Sequence, residues 1–298
     1  MRARAYAKVN LGLEVLFRRD DGYHELRTIL QTIDLHDRLT FEARPNGIEL
    51  AVDENVVPGG EENLVTRAAR LLAERLGRRV GARIELDKRI PVGRGLGGGS
   101  SDAAMTLLAL NQLWDVGLSQ ADLCRLGAEL GMDVPFFLHG GTALGIGRGD
   151  EVFPLALQVD VPIVLILPDF AISTAAAYRE LILTKREASL KLQDFASSSL
   201  SGEDGLPELT NDLEAATREH LSSIKEYKKS LLDLGAVVSL MSGSGSAVFG
   251  IFDDGAAGES AARSLAERGI RAIGTRTLTA KTYRERRLED QPTRPDGA

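Results

Sequence analysis

One stretch constrains this chain more than any other: Pro91-Val92-Gly93-Arg94-Gly95-Leu96-Gly97-Gly98-Gly99-Ser100-Ser101-Asp102-Ala103-Ala104. Five of its residues are glycine. A segment this poor in side chains loses much backbone entropy on ordering, so it is useful only where bare backbone must approach something closely. Ahead of it Ala82, Ile84 and Leu86 alternate as in a strand, with Arg83, Glu85 and Asp87 between them. Behind it Ala103, Ala104, Leu107 and Leu108 repeat with helical spacing as far as Trp114. Strand, glycine loop and helix N-terminus together make an anion site, because free amides and the positive end of the helix dipole point at one place. Ser100 and Ser101 are expected to cap the helix, and one of the two hydroxyls to reach a metal or a phosphate oxygen.

Three readings of the loop compete. It is not a P-loop, because no Gly-Lys-Ser/Thr follows the glycines. Gly93, Gly95 and Gly98 satisfy G-x-G-x-x-G, but the strand ahead of them is half polar, where a dinucleotide fold has a strand buried on both faces. A plain flexible turn has little use for five glycines that run directly into a capped helix.

The 298 residues leave room for about two domains. With 43% hydrophobic and 27% charged residues, the composition is that of an ordinary globular protein. No apolar run approaches the ~20 residues that span a bilayer. Met1-Arg2-Ala3-Arg4 is followed by no signal-type apolar core, so a cytoplasmic protein without a membrane partner is expected. Cys124 is the only cysteine, which excludes an intrachain disulfide and a cysteine zinc site. Beside Leu123 and Leu126 it reads as a structural thiol. The net charge of −7 argues against a nucleic-acid partner.

In chain order, Val9, Leu11, Leu13, Val15 and Phe17 alternate as a strand with one buried face, which puts Lys8 and Asn10 together on the opposite, solvated face. Asp20-Asp21-Gly22 is a turn, and Tyr23 and His24 directly after it suit ligand contact. Residues 29–35 and 39–41 read as two strands with His36-Asp37 between them, and Asn46-Gly47 is a hairpin signal. Asn63 caps a helix that Gly77 ends, and Ser119 opens another with Asp122 in the capping-box place. Asp133 stands before Pro135 among Met132, Val134, Phe136 and Phe137. In such company an acid is paired, raised in pKa, or an N-cap. Residues 161–167 form an apolar strand that opens a second domain, and Ser173 to Tyr178 begin a helix. The stretch 196–207 reads as a mobile loop. Leu221, Ile224, Tyr227, Leu231 and Leu232 share one helical face. Two strands then flank Met241-Ser242-Gly243-Ser244-Gly245-Ser246, either a plain hairpin turn or a second phosphate-proximal turn.

Ala7-Lys8-Val9-Asn10-Leu11, the glycine loop and the late Gly243-Ser244-Gly245 resemble the three motifs of the galactokinase–homoserine–mevalonate–phosphomevalonate (GHMP) kinase superfamily. Asp21-Gly22-Tyr23-His24, Asn63-Leu64-Val65, Asp87-Lys88-Arg89-Ile90-Pro91 and Gly131-Met132-Asp133-Val134-Pro135 bring the resemblance closer to the 4-diphosphocytidyl-2-C-methyl-D-erythritol kinases. The resemblance runs in order across most of residues 5–250. It implies an α/β (α+β) two-domain fold, with an N-terminal ribosomal-protein-S5-like domain at 1–156, a C-terminal ferredoxin-like domain at 157–288, and a disordered tail at 289–298. It implies ATP and Mg2+ as cofactors. The partner it implies is a small molecule, the cytidine-diphosphate-linked methylerythritol, phosphorylated on its 2-hydroxyl in the non-mevalonate route to isoprenoid precursors. Asp133 matches the catalytic base and Lys8 the adjacent catalytic lysine. Asn63, Lys88 and the run Pro91, Val92, Gly93, Arg94, Gly95, Leu96, Gly97, Gly98, Gly99, Ser100 and Ser101 match the ATP site, with Ser100 or Ser101 as metal contact. Asn10, Tyr23, His24, Thr174 and Tyr178 match the substrate site. Leu30 stands where some relatives carry an aromatic. Another kinase of the superfamily, a nucleotide sensor on the same fold and a nicotinamide-dependent oxidoreductase remain as alternatives, and the assembly as monomer or homodimer.

Overall fold

The computed structural model describes residues 1–53, 55–157, 159–181 and 209–289. Strands β1 (Arg2–Arg18) and β2 (His24–Arg44) form a long antiparallel hairpin on which the first body is built. The two sequence strands at 29–35 and 39–41 are one strand, and His36-Asp37 lies inside it. At 21 residues β2 is long enough to hold two partners in succession. Its last part pairs with β4 (Gly81–Asp87) and its first part with β5 (Thr142–Gly147), which carries β6 (Glu151–Pro154). The hairpin expected at Asn46-Gly47 does not form. β3 (Gly47–Val52) pairs parallel to β4, because helix α1 (Leu64–Leu76) carries the chain over and brings β4 back between β2 and β3. β4 has antiparallel β2 on one side and parallel β3 on the other, which is not the parallel unit of a dinucleotide fold.

Helices α1, α2 (Gly98–Leu113), α3 (Gln120–Leu130) and α4 (Val134–His139) cover one face of this sheet. α1 begins and ends as its sequence requires: Asn63 Oδ1 accepts from Val65 N–H, and Gly77 closes it at φ 62°. α3 has the full capping box between Ser119 and Asp122.

A second, four-stranded sheet runs in the order β10 (Ala272–Arg276), β7 (Pro162–Ile166), β9 (Val248–Ile251), β8 (Val238–Met241). β7 alternates between two cores. Ile163 and Leu165 meet Val9, Leu11 and Ile29 of the first sheet, while Val164 and Ile166 face Ile224 and Leu231 of α6 (Leu221–Asp233) and Leu265 of α7 (Gly255–Glu267). On α6 the expected face holds for Ile224 and Leu231 but not for Leu232, which is 47% exposed. The short α5 (Thr174–Glu180) starts at Ser173, whose hydroxyl accepts from Ala176 N–H.

This stacking corrects the expectation for β1. Its odd residues pass from the first core (Ala3, Ala5) to the second (Ala7, Val9, Leu11) where the pairing register slips between Tyr6 and Ala7. A β-bulge of this kind re-aims the strand without interrupting the alternation. Both faces are therefore covered, and Lys8 and Asn10 are buried.

We propose a domain division at 156/157, which the two sheets support. The last elements cross back over it. α8 (Ala280–Arg286) buries Tyr283 in the first core, and β11 (Leu288–Glu289) pairs with β1. The expected mobile loop at 196–207 lies outside the described residues, as does the expected tail from 290 on; its first residue, Glu289, is instead in β11, opposite Arg2.

Candidate active site

The glycine loop leaves β4 and delivers its last glycines to α2. The helix begins at Gly98, with Gly97 as N-cap at φ 71° and no side-chain cap. Ser100 and Ser101 therefore do not cap it; they lie inside its first turn. Ser101 N–H bonds Gly97 O at 2.9 Å, so the amides ahead of it are free of helical partners. Glycine is required here by space as well as by φ. A Cβ on Gly97 would lie 2.7 Å from the Phe137 ring and 3.1 Å from Lys8 Cγ. A Cβ on Gly95, at φ 77°, would overlap the Ser242 carbonyl oxygen and reach within 2.8 Å of Gly245 N.

The loop is thus interlocked with the late glycine turn. Ser242 Oγ donates to Gly95 O at 3.0 Å, and Ala247 N–H to Arg94 O at 3.2 Å. Arg94 donates to Ser246 Oγ at 3.0 Å and to the Phe170 carbonyl, so its guanidinium braces the loop against the second sheet. The turn itself is held from behind by Asn211, which donates to Met241 O at 2.8 Å and Gly243 O at 2.7 Å. Sequence reading passed over Asn211. Its signal was an N-cap one: its Oδ1 accepts from Leu213 N–H at the start of a 3-10 segment, Asp212–His220.

Lys8 and Asp133 meet beside the loop. Lys8 N–H bonds Leu96 O at 3.0 Å, which ties β1 to the loop. Its Nζ donates to Asn10 Oδ1 at 2.6 Å and lies 3.5 Å from Asp133 Oδ2. Asn10 in turn donates to Thr28 Oγ1 at 2.7 Å, and Thr28 to Gly12 O at 2.8 Å, so the ammonium rests on a chain of buried polar groups. Asp133 occupies the N-cap position of α4 yet makes no capping hydrogen bond. Of the readings open for it, the paired carboxylate is the one the structure bears out. Its side chain is 35% exposed, against 5% for Lys8.

Away from the loop, His24 stacks on Tyr178 with centroids 5.1 Å apart and an interplanar angle of 22°. Arg148 lies over the Tyr23 ring at 5.3 Å. Burial, and the nearby Asp133 charge, push the Tyr178 phenol well up, so it is a protonated donor. Burial and then Arg18 pull the His24 imidazole down, so it is a neutral ring near pH 7. Thr174 Oγ1 and Ser244 Oγ are 2.7 Å apart, joining α5 to the late turn.

All of these line one cleft of about 1210 Å³. That exceeds a typical single-ligand pocket of about 300–1,000 Å³. Every expected site residue borders the cleft except Ser101, which is fully buried. Leu30 is also buried, in the first core. Lys88 borders the cleft, but its ammonium is held by Asp37 and, at 2.8 Å, by Asp102. Burial pulls this lysine down, yet the charges of Asp102 and Asp37 outweigh that and leave it raised. Burial first, then the Asp37 charge, pushes the Asp102 carboxyl well above the usual range against the pull of Lys88.

Among the described residues no group of three or more His, Cys, Asp or Glu side chains is placed to hold a metal ion. A magnesium ion carried by nucleotide phosphates keeps most of its waters and needs few protein ligands. The Ser100 hydroxyl at the cleft wall fits that modest demand.

The GHMP kinases N terminal domain matches residues 63–141, and the GHMP kinases C terminal domain residues 196–271. A 4-diphosphocytidyl-2-C-methyl-D-erythritol kinase of Pelotomaculum thermopropionicum is 44% identical over 287 residues, covering 95% of this chain and 98% of the relative. One of Moorella thermoacetica is 44% identical over 279 residues, covering 92% and 98%. The crystal structure of a 4-(cytidine 5'-diphospho)-2C-methyl-D-erythritol kinase superposes with a TM-score of 0.83 at 40% identity, covering 93% of this chain and 99% of that one. A homoserine kinase of Cytophaga hutchinsonii, 20% identical with a TM-score of 0.71 over 94% of each chain, shares the fold.

Proposed function

The chain belongs to the GHMP kinases, in the family of the 4-diphosphocytidyl-2-C-methyl-D-erythritol kinases, and from that premise we propose how it transfers the γ-phosphoryl group of ATP to the 2-hydroxyl of that substrate. The observation that carries the reading is the Lys8–Asp133 pair at 3.5 Å, beside the glycine loop, in a cleft that continues to Tyr23, His24 and Tyr178.

The amides at the start of α2 hold the ATP phosphates, and Asn63 and the loop wall border the rest of the nucleotide. The Ser100 hydroxyl would hold a magnesium ion carried by the nucleotide, which when bound would supply charge neutralisation to the phosphates. Tyr23, His24 and Tyr178 take the cytidine end, where flat rings have a base to stack on. Asn10 and Thr174 orient the acceptor. The carboxylate of Asp133 takes the proton of the 2-hydroxyl, whose oxygen forms the new bond to the γ-phosphorus as the bond to the β-γ bridging oxygen breaks and ADP leaves. Lys8 offsets the negative charge that gathers on the transferring group. A small-molecule acceptor in this cleft calls for no nucleic acid and no membrane, and a cytoplasmic location suits it. No helix among the described residues is long and apolar enough to cross a membrane.

The test is ADP release with magnesium, ATP and each of three acceptors: the cytidine-diphosphate-linked methylerythritol, homoserine and mevalonate. Release with the first alone is expected. Release with homoserine or mevalonate instead would leave the aromatic end without a ligand and overturn the reading. ATP binding without release for any acceptor would favour a nucleotide sensor.

A further inference from the structure

A loop with five glycines has few side chains with which to order itself beyond the Arg94 brace, so most of what fixes it comes from outside. The middle is tied by Lys8 N–H to Leu96 O and by Ala247 N–H to Arg94 O. Its two ends converge on a single buried carboxylate, Asp37 of β2, which is wholly inaccessible. Upstream, Asp37 Oδ1 accepts from Arg89 N–H at 2.5 Å and from Ile90 N–H at 2.8 Å, the two residues directly before the loop. Downstream, Asp37 Oδ2 takes the Lys88 ammonium, which also bonds Asp102 Oδ2 at 2.8 Å, just past the first turn of α2. The absence of a side chain on Gly98 lets this ammonium come close: a Cβ there would stand 3.2 Å from Lys88 Nζ.

We propose that Asp37, Lys88 and Asp102 form a staple that fastens both ends of the glycine loop to β2, so that Lys88 is a positioning residue for the phosphate-binding amides and not a nucleotide ligand. This rests on the reading of the loop as the ATP phosphate site. The residue count of the network supports it. One ammonium is shared by two buried carboxylates, so it has no charge to spare for a phosphate. The ring the staple closes, from Arg89 to Asp102, contains every free amide at the head of α2. Asp37 owes its inward position to β2, where residues Asp34 and Leu35 are the extra ones opposite the Tyr6/Ala7 step of β1.

The test uses the full chain, without nucleotide, in Asp102→Ala and Lys88→Met. Amide hydrogen exchange is followed by mass spectrometry in the peptide spanning 91–105 and in control peptides from α3 and α7. ATP affinity is measured by titration. The staple predicts exchange faster by about tenfold or more in the loop peptide alone, and ATP binding weaker by about tenfold to a hundredfold, since a small misplacement of positioning groups is felt that strongly. Asp102→Ala is the sharper variant because it leaves the Lys88–Asp37 pair to fold around. Asp102→Ala also frees the Lys88 ammonium from one of its two partners, so a direct contact of Lys88 with a phosphate would tighten ATP there, and weakening has to come from lost positioning. Unchanged loop exchange in Asp102→Ala overturns the proposal, whatever the folding of Lys88→Met. So does weaker ATP binding confined to Lys88→Met, the mark of a direct ligand. Failure of the kinase reading would show separately, as wild-type protein that does not release ADP.

Discussion

Lys8 and Lys88 press against successive glycines of one loop, Gly97 and Gly98, and each side chain is 5% exposed. Their surroundings differ completely. Lys88 is saturated by two buried carboxylates. Lys8 has a neutral amide at 2.6 Å and a single carboxylate at 3.5 Å that opens to solvent. Equal burial therefore says nothing about role. An ammonium whose charge is already matched serves the fold, whereas one held by amides keeps its field for a charge that arrives later.

The comparison breaks if the two lysines respond alike to replacement. Lys8→Met should lower kcat by about a hundredfold to a thousandfold, the size of effect seen when a transition-state charge partner is removed. Its stability should move by only about 1 kcal/mol, because just one buried partner, Asn10, loses its donor. Lys88→Met should do the reverse at the level of folding. It leaves two carboxylates buried without a cation, which costs about 3–5 kcal/mol and is read from urea unfolding. Equal losses of turnover and stability in both variants would contradict the division of labour.

Gly95→Ala sharpens the point that the loop is fitted to the late turn. The added methyl meets the backbone of Ser242 and Gly245 at a positive φ, so ATP affinity and thermal midpoint should fall together, the latter by a few degrees for a destabilisation of about 1–3 kcal/mol. Ser119→Ala, on α3 away from the cleft, should cost about 1 kcal/mol and leave KM and kcat alone. The smallest effect concerns pH. Burial and then Arg287 pull His139 below the usual imidazole value. A folded state that resists protonation loses stability as pH drops through about 6.5, so the unfolding midpoint should fall between about pH 7 and 5. His139→Gln should flatten that slope, and an unchanged slope would remove His139 as a contributor.

Much of this was legible because local signals and the fold agree. The loop, its flanking strand and helix, the Asn63 and Ser119 caps and the Gly77 stop all depend on residues within a few positions of one another. What was not legible depends on long-range covering. Lys8 and Asn10 read as a solvated face because alternation cannot reveal a second sheet packed on the first. The β3–β4 pairing hid behind an Asn-Gly that makes a turn but no hairpin. Asp37 read as a break between strands, and only the register slip beside it brings that carboxylate to both ends of a loop some 50 residues on. The cap signal of Asn211 was readable; its grip on the Gly243 turn across the fold was not.

The account rests most heavily on Asp133 as the base that Lys8 supports. The direct measurement is the turnover of Asp133→Asn with saturating ATP and acceptor, alongside its ATP dissociation constant. Loss of turnover by about a hundredfold to ten-thousandfold with ATP affinity unchanged is the expected result. Near-normal turnover, or a loss explained wholly by weaker ATP binding, would contradict it.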